Sequence, residues 1–272
     1  MARSVAVITG ASSGIGAEFA RQLAAEHDLL LIARRKDKLE ALAAELTARF
    51  GSLVCVLPAD LTNESELAGV AQRIASETNL SLLINDAGFG ARGLFWETEL
   101  DVHERMHRLH ITATLRLCHA ALQNMLARNS GAIINVASVA AFVRRSGSVS
   151  YGATKNWMTA FTEALYLELQ SIRSAVKVQA LCPGFTYSEF HDTMRVDRSR
   201  IASSSLWLRA EFVVAESLKG VASAKLFVVP GWRYKAIVGL ISKLPMPLRL
   251  AFEKAGTKRA HGRRAAGHAN PD

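Results

Sequence analysis

The chain has 272 residues, half of them hydrophobic, with 33 Lys and Arg against 24 Asp and Glu for a formal charge of +9. That length can bury a large core in one domain, and no apolar stretch reaches the roughly 18 residues of an ordinary spanning helix. The three cysteines, Cys55, Cys118 and Cys182, are odd in number and far apart, which excludes a disulfide framework; they read as small buried hydrophobes in a reducing, cytoplasmic setting.

In chain order, Val5 to Ile8 suits a buried parallel strand and leads into Thr9-Gly10-Ala11-Ser12-Ser13-Gly14-Ile15-Gly16, then an alanine-rich helix with Phe19, Ala20 and Leu23 on one face. Strand, glycine turn and helix predict a dinucleotide site. Gly10 permits the tight turn, Gly14 lets backbone approach a pyrophosphate, and Gly16 lets helix and strand pack closely, with the helix N-terminus facing the phosphates. The N-terminus holds one arginine and a short apolar run that this turn needs, which predicts no signal peptide. Leu29 to Ile32 is the second strand. It ends in Ala33-Arg34-Arg35-Lys36 instead of an acidic residue that would accept ribose hydroxyls. Arg34, with Arg35, is therefore expected to clamp a 2'-phosphate, making NADP(H) the expected cofactor and NAD(H) the lesser choice, since Asp37 makes the local field mixed.

Strands are predicted near residues 4–9, 28–33, 52–57, 80–84, 131–137, 176–181 and 225–229. Helices are predicted over 14–26, 36–50, 64–77, 99–127, 151–172 and 210–221. This alternation implies an α/β, Rossmann-type doubly wound parallel sheet, a single domain with ligand at the strand C-terminal ends. The chemistry-bearing residues lie late in the chain. Ser138 follows the apolar run Ala132 to Val136, and Tyr151 and Lys155 stand one helical turn apart on one face. A phenol near pKa 10 is a weak acid, and lowering it by roughly three units takes about 4 kcal/mol, which one cation at about 4 Å supplies at an effective dielectric near 20. Tyr151 is thus expected as an acid catalyst tuned by Lys155.

The motifs Thr9-Gly10-x-x-x-Gly14-x-Gly16, Asp60-Leu61, Asn85-Asp86-Ala87-Gly88, Ser138, Tyr151-x-x-x-Lys155 and Pro183-Gly184 occur in one order. Over roughly residues 4 to 230 the chain resembles the short-chain dehydrogenase/reductase family. The resemblance implies that Asp60 bonds the adenine amino group, that Asn85, Ala87 and Gly88 line the cofactor cleft, and that Pro183 and Gly184 flank the nicotinamide. It also implies that Ser138 holds a substrate carbonyl, Tyr151 gives the proton, and Lys155 binds the nicotinamide ribose. Ser12, Ser13, Ile15, Leu61 and Thr186 complete the expected cofactor contacts.

Two positions depart from the family pattern. Asp86 stands where an Asn is usual, adding a negative charge near a strand end, and the family's catalytic Asn aligns with His110. An imidazole could hold the same water or relay the proton itself. His103, His107 and His110 share a helical face, but no Cys or carboxylate completes a metal set, so no metal is expected.

Residues 1–191 carry 18 basic and 18 acidic groups, whereas residues 192–272 carry 15 and 6, so the whole excess lies at the C-terminal end. There a lid is expected over Phe185 to Leu208, where Phe185, Tyr187, Phe190, Met194, Leu206 and Trp207 could join Phe89, Phe95 and Trp96 in an apolar pocket for a bulky, lipid-like ketone or acyl thioester. Trp232 to Phe252 mixes apolar and basic residues and could rest on an anionic membrane surface, close the pocket or pack on a partner subunit. The domain is expected to span 1–253, and the basic tail 254–272 to be disordered. No nucleic-acid recognition motif accompanies the charge. The expected activity is NADP(H)-dependent reduction of a carbonyl by a homodimer or homotetramer joined through the two long helices. The alternative is an NADP(H)-binding sensor or scaffold with little turnover.

Overall fold

The computed structural model describes residues 3–91, 93–189, 204–251 and 253–254. The seven strands are β1 (Ser4–Thr9), β2 (His27–Ala33), β3 (Val54–Pro58), β4 (Leu80–Asn85), β5 (Ala132–Val136), β6 (Lys177–Leu181) and β7 (Phe227–Val228). They form one parallel sheet in the order β3-β2-β1-β4-β5-β6-β7. The helices are α1 (Gly14–Leu23), α2 (Lys36–Phe50), α3 (Glu64–Ala75), α4 (Leu100–His107), α5 (Thr114–Ala127), α6 (Val149–Ser171), α7 (Ala210–Ala222) and α8 (Trp232–Lys243).

Strand alternation sorts the core into two layers. Ala6, Ile8, Leu29, Leu31 and Ile84 face α1, α2 and α7 through Phe19, Leu39, Leu46 and Val213. The intervening Val7, Leu30, Ile32 and Leu83 face α3, α5 and α6 through Ile74, Leu117, Met125 and Leu169. Both faces are covered, which is why the strands read as continuous apolar runs. Local signals agree with the element ends: Asn63 caps α3 by accepting from the Ser65 and Glu66 N–H groups, and α2 stops at Gly51 with φ 63°.

The predicted helix over 99–127 is not uniform. Between α4 and α5 the residues Arg108–Ala113 form a π-helical stretch, and the extra residue it inserts turns His110 into the interior. β7 is only two residues long, and β3 starts at Val54. Cys118 and Cys182 are buried as expected, but Cys55 is exposed, because β3 is an edge strand.

After α8 the residue before Pro245, Leu244, is extended at φ −72° and ψ 133°, so the helix stops where the proline predicts. Only Tyr234 and Ile241 of α8 are buried, while Trp232 and Leu240 stand out beside Arg233, Lys235 and Lys243. Among the described residues, no helix is long and apolar enough to cross a membrane. Phe190, Met194 and the tail beyond residue 254 lie outside the described residues.

Candidate active site

The C-terminal ends of β1, β4, β5 and β6 converge on one cleft. Gly10 (φ 72°) and Gly14 (φ 59°) adopt backbone that L side chains rarely take. At Gly16 a Cβ would lie 2.6 Å from the Gly10 carbonyl oxygen, so only hydrogen fits and α1 can start directly on the turn. Thr9 ties this turn to the next loop: its Oγ1 donates to the Ile84 carbonyl at 3.3 Å and accepts from the Asp86 and Ala87 N–H groups at 3.0 and 3.1 Å. The turn is a cradle of the shape a diphosphate needs. Ile15 packs on the core below it.

Arg35 is the cation that meets this cradle. Its guanidinium donates to Ser12 Oγ at 2.9 and 3.1 Å and to Ser13 Oγ at 2.8 Å, and it pairs with Glu189. Arg34, which sequence placed first, is exposed and acts on Asp60. Burial pulls the Asp60 carboxyl upward, but two bonds from Thr62 and the charges of Arg34 and Arg105 outweigh it and hold the group below its ordinary value. Leu61 beside it is buried. Asn85 is buried with its amide turned into the sheet, where Nδ2 donates to Asn135 Oδ1 at 2.9 Å and Asn135 passes the chain to Thr162. It joins β4 to β5, while the Ala87 N–H bonds Thr9 and Gly88 lies against His110, where a Cβ would stand 2.9 Å from Nε2.

Ser138 lies two residues past β5 in extended backbone, accepts from the Ala140 N–H at 3.1 Å, donates to the Pro183 carbonyl at 3.5 Å, and acts on the Tyr151 phenol. The site thus brings Ser138, Tyr151 and Lys155 together with the Pro183-Gly184 loop. Thr186 is buried, donates to the Gly184 carbonyl at 3.1 Å and pairs with Leu208.

The electrostatic balance differs from the expectation. Lys155 donates to the Val136 carbonyl at 2.7 Å and its Nζ lies 5.9 Å from the Tyr151 ring centroid. Burial pushes the Tyr151 phenol up to about 12; the Ser138 bond pulls against that and the Asp86 carboxylate adds to it. Lys155 does not depress the phenol here, because its ammonium is turned onto β5 and is itself lowered by burial to about 8, with Asp86 and Cys182 opposing. Asp86 points its carboxyl at the Gly16 N–H and is raised by burial to about 7 against the pull of Lys155 and that N–H.

His110 is wholly buried, and both ring nitrogens are engaged. Nε2 accepts from the Phe89 N–H at 3.2 Å, which leaves Nδ1 to donate to Thr154 Oγ1 at 2.8 Å, and Thr154 donates on to the Tyr151 carbonyl. Burial, with the charges of Lys155 and His107, lowers its pKa well below 6.5, so the ring is neutral. No nitrogen remains to face Lys155. The ring ties the Ala87–Phe89 loop to α6. His103 instead bonds the Phe95 carbonyl at 3.3 Å, and the three histidines do not converge.

A shallow hollow beside Tyr151 is lined by Phe95, Thr98, His103, Met106 and Val149. Trp207 is buried between Phe185 and Tyr187, with ring centroids 5.5 and 5.1 Å away. Trp96 is 79% exposed and is not among the described residues that line this hollow. Sequence reasoning gave no role to Glu189 and placed Tyr234 only in the amphipathic stretch; each acts across a long separation.

Residues 4–199 match the short chain dehydrogenase family. The chain belongs to the short-chain dehydrogenase/reductase family. A short-chain dehydrogenase from Sphingobium yanoikuyae in complex with NADPH is 34% identical, with a TM-score of 0.80 over 89% of this chain and 97% of that one. The bulky-bulky ketone specific alcohol dehydrogenase from Comamonas testosteroni is 30% identical, with a TM-score of 0.76 over 90% and 96%. A short chain dehydrogenase/reductase from Burkholderia phymatum in complex with NAD is 25% identical, with a TM-score of 0.78 over 88% and 92%. This family of oxidoreductases uses nicotinamide cofactors, and the cleft fits one: glycine cradle, flanking serines and an arginine at the end of β2 lie where such a dinucleotide would run.

Proposed function

We propose that this short-chain dehydrogenase/reductase is an NADP(H)-dependent enzyme that reduces a ketone or related carbonyl to an alcohol. The carrying observation is the Ser138 hydroxyl set beside the Tyr151 phenol, whose charged form it favours, with Lys155 one turn along α6 and the glycine cradle beside it. The nicotinamide, when bound, supplies the hydride. Ser138 holds the carbonyl oxygen by a hydrogen bond that strengthens as charge builds there, and Tyr151 gives that oxygen its proton. Lys155 holds the ribose, and its ammonium can support the phenolate left behind only by turning off the Val136 carbonyl toward Tyr151. The hollow lined by Phe95, Met106 and Val149 and the Trp207 cluster favour an apolar substrate. The test is NADPH oxidation against bulky ketones, aldehydes and 3-oxoacyl thioesters; cofactor binding without turnover on any of them would favour the sensor.

Arg35 and Lys38, with Ser12 and Ser13, form the cradle for a 2'-phosphate. Arg35→Ala is expected to weaken NADPH binding about tenfold, as loss of charge-assisted bonds does, and NADH binding little; Arg34→Ala should cost less. Equal losses for both cofactors would remove the assignment.

For His110, Asn is expected to retain most activity because an amide can replace one of the two bonds, whereas Ala should lower kcat by about tenfold through a loosened Phe89 loop. If the pH profile of the Ala variant loses a limb that Asn keeps, the ring moves protons after all.

Asp86 gives a pH signature. Its folded pKa, about 7, lies above the ordinary 3.8, so the folded chain keeps a proton that the unfolded chain releases between those values. Its stability contribution is full below pH 3.8 and is lost as pH rises through 7. Asp86→Asn keeps the Gly16 bond without the charge, so its Tm should rise relative to wild type as pH goes from 4 to 8; parallel curves would refute the buried proton.

The same reading has a cytoplasmic homo-oligomer joined through α4–α5 and α6, and the exposed Trp232 and Leu240 of α8, beside Arg233 and Lys235, offer a surface to an anionic membrane or a partner subunit. Light scattering should give a dimer or tetramer, and the intact chain should sediment with anionic but not neutral vesicles.

A further inference from the structure

Five residues beyond Gly184, the segment leaving β6 crosses the cofactor cleft and places a carboxylate in the phosphate cradle. Glu189 Oε2 lies 2.6 Å from Arg35 Nη1, and Oε1 lies 2.6 Å from Lys38 Nζ. Ser188 seats the segment directly on the glycine turn: a Cβ on Gly14 would stand 3.0 Å from its Cβ. One anion therefore bridges two cations with separate oxygens, while the same guanidinium is held by Ser12 and Ser13. A phosphate monoester would ask for the same arrangement.

The three side chains are 40–42% exposed, so the pairs are open to water and salt and can be exchanged for another anion at modest cost. A buried structural ion pair would not offer that. Bonds from Lys38 and Arg35 hold the Glu189 carboxyl down at about 2, so it is an anion throughout the physiological range. β2 itself ends without the acidic residue that would accept ribose hydroxyls, and Glu189 brings a carboxylate to that place from the opposite wall.

We propose that Glu189 is a built-in competitor of the 2'-phosphate for Arg35 and Lys38, and thereby a specificity-determining residue for the choice between phosphorylated and unphosphorylated dinucleotides. This rests on the reading of the cleft as a nicotinamide-dinucleotide site. An unphosphorylated adenosine ribose leaves the carboxylate paired with its two cations. A 2'-phosphate must displace it, so binding of the phosphorylated dinucleotide is coupled to release of the Pro183–Glu189 segment from the first turn of α2. The carboxylate thus lowers the affinity for NADP(H) below what the cations alone would give, and leaves NAD(H) a usable second cofactor.

Calorimetric titration of the full chain with 2',5'-ADP and with 5'-ADP tests this without turnover. Glu189→Gln, on an exposed side chain that folding tolerates, is expected to bind 2',5'-ADP about tenfold more tightly than wild type, the scale of two exposed ion pairs no longer competing, and 5'-ADP within about twofold. Unchanged or weaker binding of 2',5'-ADP by Glu189→Gln, with Arg35→Ala still losing it, would overturn the competition and make Glu189 a support for Arg35. If wild type, Glu189→Gln and Arg35→Ala all bind both fragments equally, the phosphate cradle itself is wrong, and the inference falls with it.

Discussion

Tyr151→Phe is expected to bind NADPH within about twofold of wild type and to lose carbonyl turnover by about 10²- to 10⁴-fold, the usual reach of a positioned proton donor. The ring contacts survive the change: His110 meets it edge-on at 5.9 Å between centroids, and Lys155 lies 5.9 Å from its centre. Only the hydroxyl goes, and Ser138 keeps its bonds to Pro183 and Ala140. Steady-state kinetics beside a binding titration decide the matter. Equal loss of binding and turnover would make Tyr151 a wall of the cleft and not its acid.

The raised phenol bears on the pH dependence of the reaction. Bringing a group from about 12 to neutrality takes about 7 kcal/mol at 1.36 per unit, whereas one cation at about 4 Å gives about 4. A single lysine is therefore insufficient by that route, even after turning off the Val136 carbonyl. A phenol protonated at neutral pH holds the proton that carbonyl reduction consumes, whereas alcohol oxidation starts from the phenolate. Alkaline pH should accordingly help oxidation more than reduction.

The parallel sheet, its two covered faces and the position of the glycine turn were legible, because they follow from apolar runs and from glycines whose backbone or close approach only glycine tolerates, whereas the order of the strands was not read from the sequence. The Ser138/Tyr151/Lys155 grouping was legible for the same local reason: helical spacing places two of the three. What escaped was contact between distant segments. Arg35 and Glu189 are 154 positions apart, and nothing in Ala33-Arg34-Arg35-Lys36 tells which arginine turns toward Ser12. His110 was found by alignment with the family motif, but its partners were hidden, since the π-helical stretch that rotates it inward has no sequence period of its own. The pKa of Tyr151 was misjudged because spacing gives the distance along a helix, not the carbonyl that captures the lysine.

Gly184→Ala is the second large effect expected, and its cause is Tyr234. This residue read in sequence as one more aromatic of a basic amphipathic stretch, yet it is 4% exposed and its ring lies flush against the Gly184 Cα. A Cβ there would overlap the ring carbons Cζ, Cε1 and Cε2. The ring cannot slide aside cheaply: its hydroxyl accepts from the Phe185 N–H at 3.0 Å and donates to the Leu206 carbonyl at 2.6 Å, and it is one of the two residues that bury α8. Overpacking of this kind costs about 3 kcal/mol, a fall in Tm of roughly 6 °C or more for a chain of this size. The loss should reach the chemistry as well, because the neighbouring Pro183 carbonyl accepts from the Val139 N–H at 3.0 Å and from Ser138, so a displaced loop misplaces the hydroxyl that holds the substrate oxygen. A double-mutant cycle isolates the contact. Tyr234→Ala alone should destabilise, but Gly184→Ala added to it should cost less than about 1 kcal/mol, since the ring it would strike has gone. Additive losses in Tm would mean that Gly184 is needed for its own backbone and that Tyr234 is a bystander.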